Sequence, residues 1–124
     1  MDNELGSDLD KAWLSQELAI AMEYYKSLDL PKAENTLNKI LEYFPDDPNA
    51  LHLLGVVFKE SGDMDKSSAL LESSINVDSA NFSSLLNLGK VYLLTKKVEK
   101  ASLLFKKSLN LNRANADTWF CLAE

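Results

Sequence analysis

An all-α solenoid built from antiparallel helix pairs is the fold this sequence predicts, and three observations predict it. First, whole stretches repeat at one period: Leu51, Leu54, Gly55, Phe58 and Leu71 are answered 34 residues later by Leu85, Leu88, Gly89, Tyr92 and Phe105. Second, the apolar residues recur at helical spacing, and no strand-type alternation is present. Third, the segments joining the predicted helices are short, so consecutive helices must lie beside one another as antiparallel neighbours. Stacked units of this kind need no central core, and 124 residues suit a single domain.

Residues 1–7 are polar, and Ser7 or Asp8 is placed to cap a long first helix over about 8–28. Trp13, Leu14, Leu18, Ala21, Met22 and Tyr25 recur along it at helical spacing. Pro31 suits the first turn of the next helix, where its missing N–H has no partner anyway, and Pro45 stops that helix after about Tyr43. Asp47-Pro48 restarts the chain as cap and first-turn proline for a helix over about 48–61. Gly62-Asp63 turns it again, with Asp63 as cap for a helix over about 64–76. Ser79 begins a third pair over about 80–94 and 97–110, and a final helix opens near Asn115. Ala21, Gly55 and Gly89 fall where paired helices would approach most closely, opposite the small residues Ala33, Ser67 and Ala101. A helical glycine costs about 1 kcal/mol relative to alanine, so close approach is the expected compensation. Tyr24, Phe58 and Tyr92 are expected to fill the space between neighbouring pairs.

The repeated residues resemble the tetratricopeptide repeat, whose pattern runs W-x2-L-G-x2-Y, then A-x3-F, then P. Residues 82–115 match most fully, through Leu88, Gly89, Tyr92, Ala101 and Phe105. Residues 14–47 keep Tyr24, Ala33 and Pro45 but place Ala21 at the glycine position. Residues 48–81 keep Leu54 and Gly55, with Ser67 in place of alanine and Ser79 in place of proline. The expected organisation is an N-terminal extension over 1–13, three repeats over 14–47, 48–81 and 82–115, and a truncated fourth over 116–124 that carries Trp119. The wording Asn49-Ala50-Leu51-His52-Leu53-Leu54-Gly55 is similar to repeats of bacterial members. The resemblance implies a right-handed superhelix.

Composition narrows the function classes. An apolar content of 46% excludes a disordered chain. Net charge is −6, and residues 1–62 carry 12 acids against 5 bases. That balance disfavours nucleic acid, which needs a concentrated basic face; Lys96, Lys97, Lys100, Lys106 and Lys107 read instead as the solvated outside of one helix. No stretch is apolar enough for membrane insertion. The acidic start lacks the features of a secretion signal, and the single cysteine, Cys121, forms no internal disulfide, so a cytoplasmic location is expected.

No catalytic constellation emerges. His52 is the only histidine, so no histidine pair exists for a zinc site, and Cys121 has no second thiol. Asp46, Asp47, Asp63 and Asp65 stand at helix starts, where carboxylates cap. Neither a glycine-rich phosphate loop nor any other cofactor-binding motif occurs. The expectation is a chain that is not an enzyme and carries no cofactor or metal.

Binding is the better hypothesis. In arrays of the resembled family the first helix of each pair lines the concave face. That implies partner-binding residues Leu18, Met22, Tyr25 and Lys26 in the first unit, and Asn49, His52, Leu53, Val56, Lys59 and Glu60 in the second. The third offers Leu86, Asn87, Lys90 and Leu93, and the truncated unit Phe120. Leu18, Met22, Leu53, Val56, Leu86, Leu93 and Phe120 make an apolar stripe suited to an amphipathic helix or an extended apolar segment. The stripe is either a partner groove or packing covered by a neighbouring repeat or by the N-terminal residues. Replacing Leu53 or Leu86 by Asp is expected to abolish capture under the groove reading and to leave the helical signal intact. The lysine, asparagine and arginine clamp of arrays that grip chaperone tails is absent in this register, since the comparable positions hold Leu18, Met22, Leu53, Ser83 and Asn87, and only Asn87 is of a clamp type. Two rivals stand beside the scaffold reading. One is a recruiting or regulatory arm of a larger glycosyltransferase-, sulfotransferase- or methyltransferase-type enzyme. The other is a homo-oligomerisation module, self-associating through the groove or through residues 116–124, where Trp119 and Leu122 lack a covering helix.

Overall fold

A computed structural model describes residues 8–111 as six α-helices. They are α1 Asp8–Lys26, α2 Leu30–Tyr43, α3 Pro48–Ser61, α4 Met64–Val77, α5 Phe82–Leu94 and α6 Val98–Leu111. Consecutive helices pack as the antiparallel pairs α1/α2, α3/α4 and α5/α6, and α2 and α4 bridge each pair to the next. The expected cap at Ser7, the helix near Asn115, Phe120, Cys121 and the open end around Trp119 and Leu122 lie outside the described residues.

Each pair turns in the same way, because the same backbone hydrogen bonds recur at one period. The N–H groups of Asp29, Asp63 and Lys97 donate to the carbonyls of Tyr24, Phe58 and Tyr92 at 2.8, 2.9 and 2.7 Å. Those of Leu28, Gly62 and Lys96 donate to Tyr25, Lys59 and Leu93 at 2.9, 3.1 and 3.1 Å. This double closure requires a left-handed residue just past the helix. Leu28, Gly62 and Lys96 supply it with φ of 63°, 92° and 65°, although only one of them is glycine. The first helix accordingly ends at Lys26, two residues before the expected limit, so that residue 28 can turn left-handed.

Four side-chain caps start the helices that follow. Asp29, Asp47, Asp63 and Asn81 accept from the N–H groups of Lys32, Ala50, Lys66 and Ser84. The third pair begins at Phe82 rather than near residue 80, because Asn81 caps it at 3.1 Å while Asp78 accepts from the Ala80 N–H to hold a turn.

Close approach accounts for two glycines. A Cβ on Gly55 would lie 2.8 Å from Leu71 Cγ, and one on Gly89 would lie 2.5 Å from Phe105 Cε1. Ser67, which departs from the family's alanine, is fully buried and donates from Oγ to the Gly55 carbonyl at 2.7 Å. The helix pair thus gains a hydrogen bond at its crossing, and the hydroxyl is satisfied where it is buried.

Two apolar clusters form the interior. Ala21, Ala33, Leu37, Ile40, Ala50, Leu53, Leu54 and Val57 join the first pair to the second. Leu71, Leu86, Leu88, Val91, Tyr92, Ala101 and Phe105 join the second to the third. A serine seam runs between the second and third pairs. Ser74 Oγ donates to the Pro48 carbonyl at 2.9 Å and lies 2.8 Å from Ser84 Oγ. Lysines cover the outer aromatic rings at the same period: Lys32, Lys66 and Lys100 sit 5.8, 5.3 and 5.6 Å from the ring centroids of Tyr24, Phe58 and Tyr92.

A candidate interaction face on α1, α3 and α5

The first helices of the three pairs carry every described residue singled out for partner binding. The structure divides those residues into three groups. Leu53, Val56 and Leu86 are buried, with 5%, 7% and 8% of their surface exposed. Leu53 and Leu86 belong to the two apolar clusters that join neighbouring pairs. An aspartate at Leu53 or Leu86 would bury a charge without a partner, so the helical signal would not survive it.

A second group surrounds an open cavity. Leu18, Ala19 and Met22 of α1 face Asn49, His52 and Leu53 of α3 across a space of ≈ 350 Å³. Its walls are mostly apolar, with Asn49 and His52 supplying the polar edge. Met22 is exposed at the cavity and free to adapt its rotamers, as thioether side chains do.

The third group is polar and couples neighbouring helices. Asn87 Nδ2 lies 2.9 Å from His52 Nε2 and donates a second hydrogen bond to the Ser83 carbonyl at 3.0 Å. With both amide hydrogens so directed, His52 Nε2 accepts, and the imidazole is neutral with its proton on Nδ1. Burial holds the His52 pKa below its ordinary value, and the charge of Lys59 lowers it further. Burial also lowers the pKa of Lys59; Glu60 opposes that shift and Lys90 adds to it. Tyr25 is raised by burial, then by the charge of Glu60 and the hydrogen bond to its carboxylate. Tyr25, Lys59, Glu60 and Lys90 therefore form one electrostatic group spanning three helices. Lys26 and Leu93 are exposed on the same helices, in the last turns of α1 and α5.

Such a face can accept an apolar side chain in the cavity and orient a polar or charged group beside it. Nothing in it resembles a nucleophile with its base. Among the described residues, no three His, Cys, Asp or Glu side chains gather as a metal site would require. None of the described helices is long and apolar enough to cross a membrane.

Sequence reasoning passed over a second cavity, of ≈ 410 Å³, lined by Asp10, Trp13, Lys39, Tyr43 and Phe44. Trp13 was readable as one more apolar residue of α1. Its departure from the repeat was the available signal, since one period later the same position holds the capping Asp47.

The model of the tetratricopeptide repeat family matches residues 48–81 and 82–115, which together make up more than half of the chain. No curated protein matches. Among solved structures, a mutant of the Thermobaculum terrenum O-GlcNAc transferase superposes with a TM-score of 0.88 at 28% identity. The match covers 94% of this chain but only 22% of the transferase. The first repeat domain of Spaghetti (RPAP3), solved with the HSP90 peptide SRMEEVD, gives a TM-score of 0.85 at 13% identity, covering 89% of this chain and 87% of that one. An Arabidopsis OM64 repeat domain gives 0.84 at 14%, covering 90% and 93%. At those two identities the likeness is one of fold.

Proposed function

The chain belongs to the tetratricopeptide repeat family, whose arrays generally mediate protein–protein interaction, and from that premise we propose that it is a non-catalytic scaffold binding a partner helix or peptide on the face of α1, α3 and α5. The repeat units are 14–47, 48–81 and 82–115. One observation carries the reading: the ≈ 350 Å³ apolar cavity between α1 and α3, one of whose lining residues, His52, feels the charge of Lys59. An apolar side chain of the partner fills the cavity. His52, Asn87 and the charged residues, with Lys26 at the far end of α1, fix its direction. Leu53 presents its edge to the cavity, while Val56 and Leu86 support the face from within.

The peptide seen with the RPAP3 domain supports peptides as a partner class for the fold. The chaperone clamp is missing here, so the partner is an apolar or amphipathic segment rather than an acidic tail. A second reading rests on the transferase relative, of which this chain spans about a fifth: the array recruits substrates for a larger enzyme. Both readings use the same face.

Mass measured by light scattering over a dilution series comes first, because a concentration-dependent dimer would mean that a second copy occupies the face or residues 116–124. Pull-down with the wild-type chain is then compared with Met22→Glu and Lys90→Glu, each at a position that is not fully buried. Loss of the same partner from both variants is the expected result. Equal recovery by both variants would remove the face from consideration.

A further inference from the structure

The cavity between the start of α1 and the end of α2 carries an inference independent of the face described above. Three of its five lining residues, Trp13, Tyr43 and Phe44, are aromatic. Trp13 meets Tyr43 nearly at right angles, with centroids 5.5 Å apart and an interplanar angle of 82°. It stacks on Phe44 at 27° and 6.1 Å. Phe44 is buried beneath the indole while Tyr43 is 62% exposed, so the cavity opens towards solvent along the phenol. Asp10 adds a carboxylate to the wall. The one basic side chain in the lining, Lys39, is held 2.9 Å from the Glu17 carboxylate, which offsets its charge.

Repeat packing does not demand these rings. One period later, positions 47, 77 and 78 hold Asp47, Val77 and Asp78. The helix that carries Trp13 is also longer than its counterparts, with 19 residues in α1 against 14 in α3 and 13 in α5. The extra turn and a half brings Asp10 and Trp13 over the end of α2. Among the described pairs, the first alone has it.

We propose that this cavity binds an alkylated ammonium group, of the kind borne by choline or by a trimethylated lysine side chain. Aromatic faces carry the negative lobe of the ring quadrupole and attract a cation held within about 6 Å. Alkylation spreads the charge over a larger, weakly hydrated group, so it enters an aromatic wall with less loss of hydration than a bare ammonium. Its methyl groups also make apolar contact with the rings. The carboxylate of Asp10 selects the cation over a neutral group of the same shape. The N-terminal half supports that sign, since residues 1–62 carry 12 acids against 5 bases.

The test is fluorine NMR of the full chain labelled with 5-fluorotryptophan, with the Trp13 resonance told from that of Trp119 by Trp13→Phe. Choline, its neutral isostere 3,3-dimethylbutanol, and a lysine peptide with and without trimethylation are titrated in turn. A saturable shift of the Trp13 resonance is expected with a cationic probe, at an affinity about tenfold above that for the neutral isostere. Tyr43→Ala, at an exposed position that leaves the helical signal in place, should weaken binding about tenfold, and Asp10→Asn about threefold. If choline and the trimethylated peptide both bind, a free quaternary ammonium suffices; if only the peptide binds, the source is a modified lysine. Equal binding of the isostere would make the cavity merely apolar and overturn the proposal. So would the absence of a saturable Trp13 shift with choline and with the trimethylated peptide, or equal binding of the two peptides.

Discussion

Leu18 and Leu53 face one another across the step from the first helix pair to the second, and one period later those two positions hold His52 and Asn87. The first step leaves a cavity of ≈ 350 Å³. At the second, the amide of Asn87 spans to the imidazole at 2.9 Å. The same contrast recurs deeper in the stack. Ile40 and Ala50 are fully buried in the first step, where the second has Ser74 and Ser84 joined at 2.8 Å. Equivalent backbone positions thus make one apolar, imperfectly filled junction and one polar, directional junction. Apolar contact is tolerant of angle and distance, so it can leave room for a guest. Hydrogen bonds are not, and they tie α3 to α5 in one register.

Breaking each step separately should expose this difference. Leu53→Asp places a carboxylate in the apolar first step and should cost about 4 kcal/mol or more, enough to abolish the cooperative urea transition. Met22→Glu at the same step is exposed and should change stability by no more than about 0.5 kcal/mol. A folded Leu53→Asp chain would show that the first step is not a core.

The second step should respond differently to one change than to two. Asn87→Leu alone strands the His52 acceptor and should cost about 1–3 kcal/mol by denaturant titration. Adding His52→Leu recreates the leucine pair of the first step and should recover most of that loss, because removing both partners leaves nothing unsatisfied. Additive losses in the double variant would mean that the hydrogen bond plays no part.

Acid should weaken the second step through His52. The folded-state pKa of His52 is depressed from 6.5, so the unfolded chain binds more protons as pH falls through that value. The contribution of His52 is therefore fully present above about pH 6.5 and declines as pH falls towards its folded value. Thermal melts of wild type and His52→Leu,Asn87→Leu should diverge less at pH 5 than at pH 8 if this site dominates. At the alkaline end Tyr92 acts with the opposite sign. Its pKa is pushed up to about 12 by burial, then by the hydrogen bond to Glu72 at 2.6 Å and by that carboxylate's charge. Stability gained there is held below pH 10 and lost as pH rises towards 12.

A modest gain belongs to the turns. Leu28 adopts the left-handed conformation that Gly62 adopts one period later, and it is 72% exposed, so little burial is lost on truncation. Leu28→Gly should stabilise the chain by about 1 kcal/mol, read from the shift in denaturation midpoint. A loss would mean that the leucine side chain makes a contact worth more than the relief of its backbone.

Much of the fold was legible because it depends on residues that repeat. Gly55 and Gly89, the caps Asp47 and Asp63, and Pro31 and Pro48 each have a local physical reason that survives without knowledge of neighbours. Boundaries slipped where two local choices competed: Ser79 and Asn81 can both open a helix, and the Asp78 turn decides between them. The candidate face was legible by position but not by depth. Helical register put Leu53, Val56 and Leu86 on the same helices as Met22, Lys59 and Lys90, yet the former are buried and the latter are not fully so. Depth depends on how far the next pair leans across, which is a property of the stack.

By itself, then, the sequence determined the period, the pairing of helices and the small residues at their crossings. All of these rest on contacts within about 34 residues or on residue type alone. Tertiary structure alone decided that His52 meets Asn87, that Ser67 bonds the Gly55 carbonyl, and that Trp13 closes over Tyr43 and Phe44. Those contacts join side chains from different helices, and their distances depend on the angle at which one helix crosses another, set by the packed volumes of the side chains between them.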